Sequence, residues 1–307
     1  METAIILTRI AQYLAAATLF GTPFFLLYAP SSLASAQGAG PPWARALAGI
    51  AALVVLLGSV IYFCAQTAMM AGDAAAATDP EILTGVLTDS AMGLAVLARM
   101  AAAVLALLVA LLLKPGRPVW RLLTGLGAVA LLSFAWTGHG AATEGAGGWV
   151  HLVADLLHLL AAGVWIGALA AFAILLARPA RTTPQGAKAL HEALDGFSGV
   201  GSAVVAVIVA TGLVNSWFLV GPTRLAGLFS TPYGLLLLAK LAAFGGMVLL
   251  AARNRFAHTP ALGRALAGPV EPSLRTLRTS VAIETALGLA VLVLVAILGM
   301  LEPVAAR

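Results

Sequence analysis

Long apolar runs broken by short polar punctuation set the pattern of this chain from end to end. Eight runs are long enough to cross about 30 Å of hydrocarbon as helices, which takes roughly 20 residues each. They cover about 5–28, 46–70, 91–113, 119–138, 150–177, 197–220, 233–252 and 280–301. The pattern predicts an all-α polytopic membrane protein, an eight-transmembrane-helix bundle forming a single domain over 1–307. The first run has no basic stretch before it and no small-residue cleavage site, so it is expected to stay in the mature protein as a span rather than leave as a signal peptide.

Composition agrees: 61% of the residues are hydrophobic and 9% charged, against about 25% charged in soluble domains. Charge then orients the spans, because short loops rich in Lys and Arg stay cytoplasmic. Arg45, the group Lys114, Arg117 and Arg121, the group Arg178, Arg181 and Lys188, and the group Arg253, Arg255, Arg264, Arg275 and Arg278 follow the first, third, fifth and seventh spans. The other loops carry Arg224 and the acids Asp73, Asp79, Glu81, Asp89 and Glu144. Both termini are therefore expected to be periplasmic. The net charge of +5 is the loops' contribution to topology and calls for no nucleic acid. Many of the 32 glycines fall inside the spans, where small residues let helices approach closely. The linker 30–42 and the long connection 255–278 carry nothing that looks catalytic.

Against this background the stretch HLVADLLHLLAAGVW stands out. On a helix turning about 100° per residue, His151, Asp155 and His158 lie within roughly 60° of one another, with Trp165 on the same stripe. His158 is about 10 Å deeper than His151. Ionisable groups in hydrocarbon cost on the order of 3 kcal/mol or more when unpaired, so the stripe is expected to face the bundle interior or a wet cavity. It is either a structural brace, Asp155 against His158, or a site for metal ligation, haem ligation or proton relay. The fourth span ends in WTGHG, which brings His139 to the same boundary. His151 and His158 are too far apart to hold one ion alone at imidazole–metal distances of about 2 Å, so Asp155 with either histidine, completed by His139, is the candidate metal set. Asp155 could instead orient a ring from behind. Cys64, Met69, Met70 and Met92 stand at similar depth as possible soft ligands, a combination of donors that tilts a metal toward copper. The single cysteine, Cys64, excludes an internal disulfide and every paired-cysteine metal motif.

These residues carry a resemblance. SFAWTGHGA at 133–141, HLVADLLHLLAAGVWIGAL at 151–169, FSGVG at 197–201, TGLVNSW at 211–217, TPYGLLLLAKL at 231–241, ARNRF at 252–256 and RTSVAIETALG at 278–288 make the chain similar to the CopD copper-resistance membrane proteins and to the CopD-like part of longer copper-uptake proteins. The resemblance spans most of the chain. It implies a multi-pass protein of the bacterial inner membrane that is not an enzyme. Such a protein handles copper, as Cu(I) or Cu(II), together with membrane lipid and a periplasmic copper-binding partner of the CopC type, and carries the metal toward the cytoplasm. Its polar pattern takes in His139, His151, Asp155 and His158, with Trp165, Asn215, Lys240 and Glu284 as supporting or pathway residues.

Two other classes stay open. A haem-binding redox protein would want histidine pairs at matched depth on two helices, and the sequence offers His139 against His151 but no second, inner pair. A copper-binding assembly or sensing subunit would have the site without a path through the membrane. Arg99 and Lys240 lie near mid-membrane, where pairing with an acid such as Glu284 would neutralise some of their cost; structural ion pairs and a transport path both stay open. TPYG reads as a helix start with Pro232 in the first turn. His191 and His258 lie in or beside inner loops and are expected to be solvated.

Overall fold

The computed structural model describes residues 1–29, 40–138, 143 and 145–306. Most of the linker 30–42 thus lies outside the described residues. The helices are α1 (Glu2–Tyr28), α2 (Pro42–Ala71), α3 (Pro80–Asp89), α4 (Ala91–Leu112), α5 (Arg117–Leu132), α6 (Ala146–Ala177), α7 (Pro184–Val220), α8 (Gly227–Ser230), α9 (Pro232–Arg253), α10 (Thr259–Ala265) and α11 (Glu271–Leu298). No strand occurs among the described residues. Among the described residues eight helices are long and apolar enough to cross a membrane: α1, α2, α4, α5 with its following turn, α6, α7, α9 running on into α10, and α11. An even number of crossings brings both termini to one end of the bundle, here called the terminal end.

Local chemistry marks the helix starts. Proline occupies the first turn of α2, α3, α5, α7, α9, α10 and α11, where its missing N–H costs nothing. Asp79, Ser90, Thr183 and Thr231 cap α3, α4, α7 and α9 by accepting backbone N–H groups. The α9 cap is the helix start read from TPYG.

Helix α1 is the hub, packing against α2, α5, α6 and α11. Its approach to α6 depends on glycine. A Cβ on Gly21 would stand 2.0 Å from the Gly163 carbonyl oxygen, and one on Gly167 would stand 2.3 Å from the Gly21 carbonyl carbon. The Gly163 and Gly167 pair, four residues apart, is the small-residue spacing that brings membrane helices into backbone contact. This fixes one face of α6 against α1 and leaves its other face to α7 and α11.

Two helices begin earlier than their apolar cores. α7 starts at Pro184 and α11 at Glu271, where hydropathy placed starts near 197 and 280. The apolar run marks only the part suited to hydrocarbon, and the helix continues through charged residues beyond it. Helix α3, whose residues are all at least partly exposed, was not expected at all.

Candidate metal site

The free face of α6 forms one wall of a cavity of about 400 Å³, completed by α1, α7, α9 and α11. The lining runs from Arg9 and Gly299 at the terminal end to Trp165, Phe244 and Met247 near mid-bundle. His151, Asp155 and His158 all line it, so the stripe does face a common space. Each is held by a partner from elsewhere. His151, only 1% exposed, lies flat on Phe218 of α7, ring centroids 4.9 Å apart, and its Nδ1 is 2.7 Å from Thr143 Oγ1. Asp155 Oδ1 accepts from Asn215 Nδ2 at 3.3 Å.

The partner of His158 sets its tautomer. Thr211 Oγ1 is 2.9 Å from His158 Nδ1 and directs its own hydrogen to the Val207 carbonyl at 2.6 Å. When that hydrogen stays on the carbonyl, Nδ1 is the ring's donor and the lone pair of a neutral imidazole sits on Nε2. This is the arrangement of a metal-ligating histidine whose second nitrogen is fixed from behind.

Lys240 of α9 also lines the cavity, in electrostatic range of Asp155 and His158 but beyond 4.0 Å from the carboxylate. Asn215 Oδ1 is buried without a partner. Among the described residues, no three His, Cys, Asp or Glu side chains gather closely enough to hold a metal. His139, the expected completing ligand, lies outside the described residues. Cys64, Met69, Met70 and Met92 do not line the cavity: Met69 and Met92 pack around Tyr62, Phe63 and Val96, and Met70 is 61% exposed. The thioether that does reach it is Met247, which is buried.

Trp165 joins the cavity to a deeper group. Its ring lines the space while its Nε1 donates to Glu284 Oε1 at 2.8 Å. Glu284 itself is not part of the lining, and its other oxygen accepts from Asn254 Nδ2 at 3.0 Å.

Among the described residues Arg99 pairs with no acid. Fully buried, its guanidinium donates to Ser133 Oγ, Gln12 Oε1 and Thr137 Oγ1 at 2.8, 3.1 and 3.3 Å and lies over the Phe134 ring at 3.7 Å. Ser59 adds a bond to Gln12, and Arg9 donates to the Thr137 carbonyl. Arg9 and Gln12, three residues apart inside the first apolar run, were the overlooked signal of this network. His191 is likewise corrected: it sits on α7, half-buried against Gly263, with Nδ1 buried and unpartnered, because α7 begins well before its apolar core. Thr143, Thr211 and Phe218 went unflagged, since such residues are ordinary in membrane helices.

Comparison with known proteins places these features. A family model described as copper resistance protein D-like, N-terminal domain, matches residues 1–149, and one described as copper resistance protein D matches residues 191–298. The copper resistance protein D of Pseudomonas syringae pv. tomato is 39% identical over 300 residues, covering 97% of this chain and 96% of that protein. The copper transport protein CutJ of Bacillus subtilis (strain 168) is 37% identical over 123 residues, 40% of this chain and 21% of that protein. No solved structure matches the chain.

Proposed function

This chain belongs to the copper resistance protein D family, and from that membership we propose that it is a copper permease of the bacterial inner membrane, without enzymatic activity. Copper enters from the periplasm at the terminal end of the bundle and moves toward the cytoplasm. The basic residues concentrated at the opposite end support this orientation. The whole chain, 1–307, acts as one unit, since α1 of the first matched stretch packs directly on α6 and on α11 of the second.

The observation that carries the reading is His158, lining the cavity with Nδ1 2.9 Å from Thr211 Oγ1, an arrangement that suits Nε2 as the ligating nitrogen. Asp155, one turn away, supplies negative charge, and Lys240 within electrostatic range offsets that charge when no cation is bound. His151 stands nearer the mouth, and His139 completes the set. A periplasmic carrier of the CopC type delivers the ion.

Metal analysis and an absorption spectrum of the purified protein in detergent test this. Bound copper without a Soret band is expected; a Soret band would make the histidines haem ligands.

A further inference from the structure

Glu284 is an acid that the cavity does not use. It is 3% exposed, midway along α11. Among the described residues no Lys, Arg or His side chain lies within 4.0 Å of it. From α1, α6, α9, α10 and the π-helical segment Asn254–His258, which pack on α11, only Trp165 and Asn254 act on its carboxyl group, and no titratable or charged side chain does. Arg278, on the same helix, is turned to the Leu176 carbonyl.

Two further buried oxygens, on Asn254 and Ser280, lack partners. Asn254 spends its Nδ2 on Glu284, and its Oδ1 is buried without a partner. Ser280 lies one turn from Glu284 on the same face of α11, 5% exposed, and its Oγ is also unpartnered. Asn254 opens the π-helical segment, a distortion that recurs at functional sites. Each unsatisfied buried polar atom costs about 1–3 kcal/mol, and an unpaired acid within the membrane costs at least as much. A carboxylate, an amide oxygen and a hydroxyl, left without a counter-charge, share one need: a small cation.

We propose that Glu284, Asn254 and Ser280 form a site for a hard monovalent cation, sodium or a proton, separate from the copper cavity. The all-oxygen donor set suits hard cations and disfavours Cu(I). Trp165 links the two places, because a cation on Oε1 competes with the indole N–H and loosens the ring that lines the base of the cavity. If the permease reading holds, this is where the coupling ion acts; the site itself does not depend on that reading.

The test uses copper-free purified protein in two arms. One measures binding of radiolabelled sodium at about pH 8. The other follows the infrared carboxylic C=O band between about pH 5 and 8. One arm should give a saturable signal that is absent in Glu284→Gln and present in Asp155→Asn. In the sodium case Ser280→Ala should weaken binding about tenfold. Trp165→Phe keeps the ring and removes the competing donor, so it should tighten binding of whichever cation responds; a purely structural Glu284 would show no such gain. If neither arm gives a Glu284-dependent signal, buried water fills the place and the proposal is overturned. Copper enters neither readout, so failure here is distinct from failure of the permease reading.

Discussion

Arg99 and His158 both lie inside the bundle, and their surroundings are opposite in kind. Around Arg99 three of the guanidinium's nitrogens have neutral acceptors and an aromatic face covers the charge. The network ties α1, α2, α4 and the turn after α5 into one block. Around His158 the picture differs: His158, Asp155, Asn215 and Lys240 are only half-buried, His158 and Asp155 each have one side-chain hydrogen-bond partner, and all four line open space. A buried charge whose donors are mostly satisfied by protein is a brace. A polar wall with lone pairs to spare can bind something. The two regions therefore should respond differently to substitution.

The largest effect belongs to the brace. Arg99→Met leaves Ser133 and Thr137 without that donor and Gln12 Oε1 with Ser59 alone, and each buried polar group left unsatisfied costs about 1–3 kcal/mol. Thermal unfolding in detergent should show the loss, and Arg99→Lys should recover only part of it, because an ammonium cannot reproduce the planar fork. Wild-type-like stability in Arg99→Met would break the comparison. Next is the joint between the regions. Gly21→Ala forces a methyl against the Gly163 carbonyl, so it should destabilise by about 1–3 kcal/mol, as overpacking does. It should also lower copper binding, since α6 shifts.

The smallest effect on folding, and the sharpest on function, is Asp155→Asn. The amide keeps an oxygen to accept from Asn215, so stability should change less than in the two variants above, while copper affinity falls roughly tenfold. Ligands must shed protons to bind metal, so wild-type affinity should fall on acidification from about pH 8 to 5. Losing the carboxylate should flatten that dependence, leaving the contribution of the histidines. Titrations of both proteins by the same copper-competition assay check it; identical pH profiles would make Asp155 a structural partner only.

The eight spans were legible because burying a backbone in hydrocarbon demands long apolar runs, and those runs are local in sequence. The α6 stripe was legible for the same reason, all its members being on one helix. Asn215 and Lys240 drew attention as solitary polar residues in apolar runs, and the structure sets both around the same cavity as the stripe. What could not be read depends on how helices rotate against one another. Arg99 announced a buried charge, but its acceptors come from α1 and from the turn after α5, and nothing local in its own span points there. Likewise nothing local tells that Met247 reaches the cavity while Met69 and Met92 pack elsewhere. Hydropathy alone ends a helix at its apolar core, whereas charge continues α7 past that core to Pro184, and this puts His191 on the helix rather than beside a loop.

The central claim is that copper sits on the α6 wall of the cavity, and X-ray absorption at the copper edge of the loaded protein tests it most directly. The expected nearest shell is nitrogen and oxygen at about 2.0 Å, diminished in His158→Ala and unchanged in His191→Ala. A shell of sulfur alone at about 2.3 Å, the same in His158→Ala as in wild type, would put the metal on Cys64 or the methionines and contradict the account.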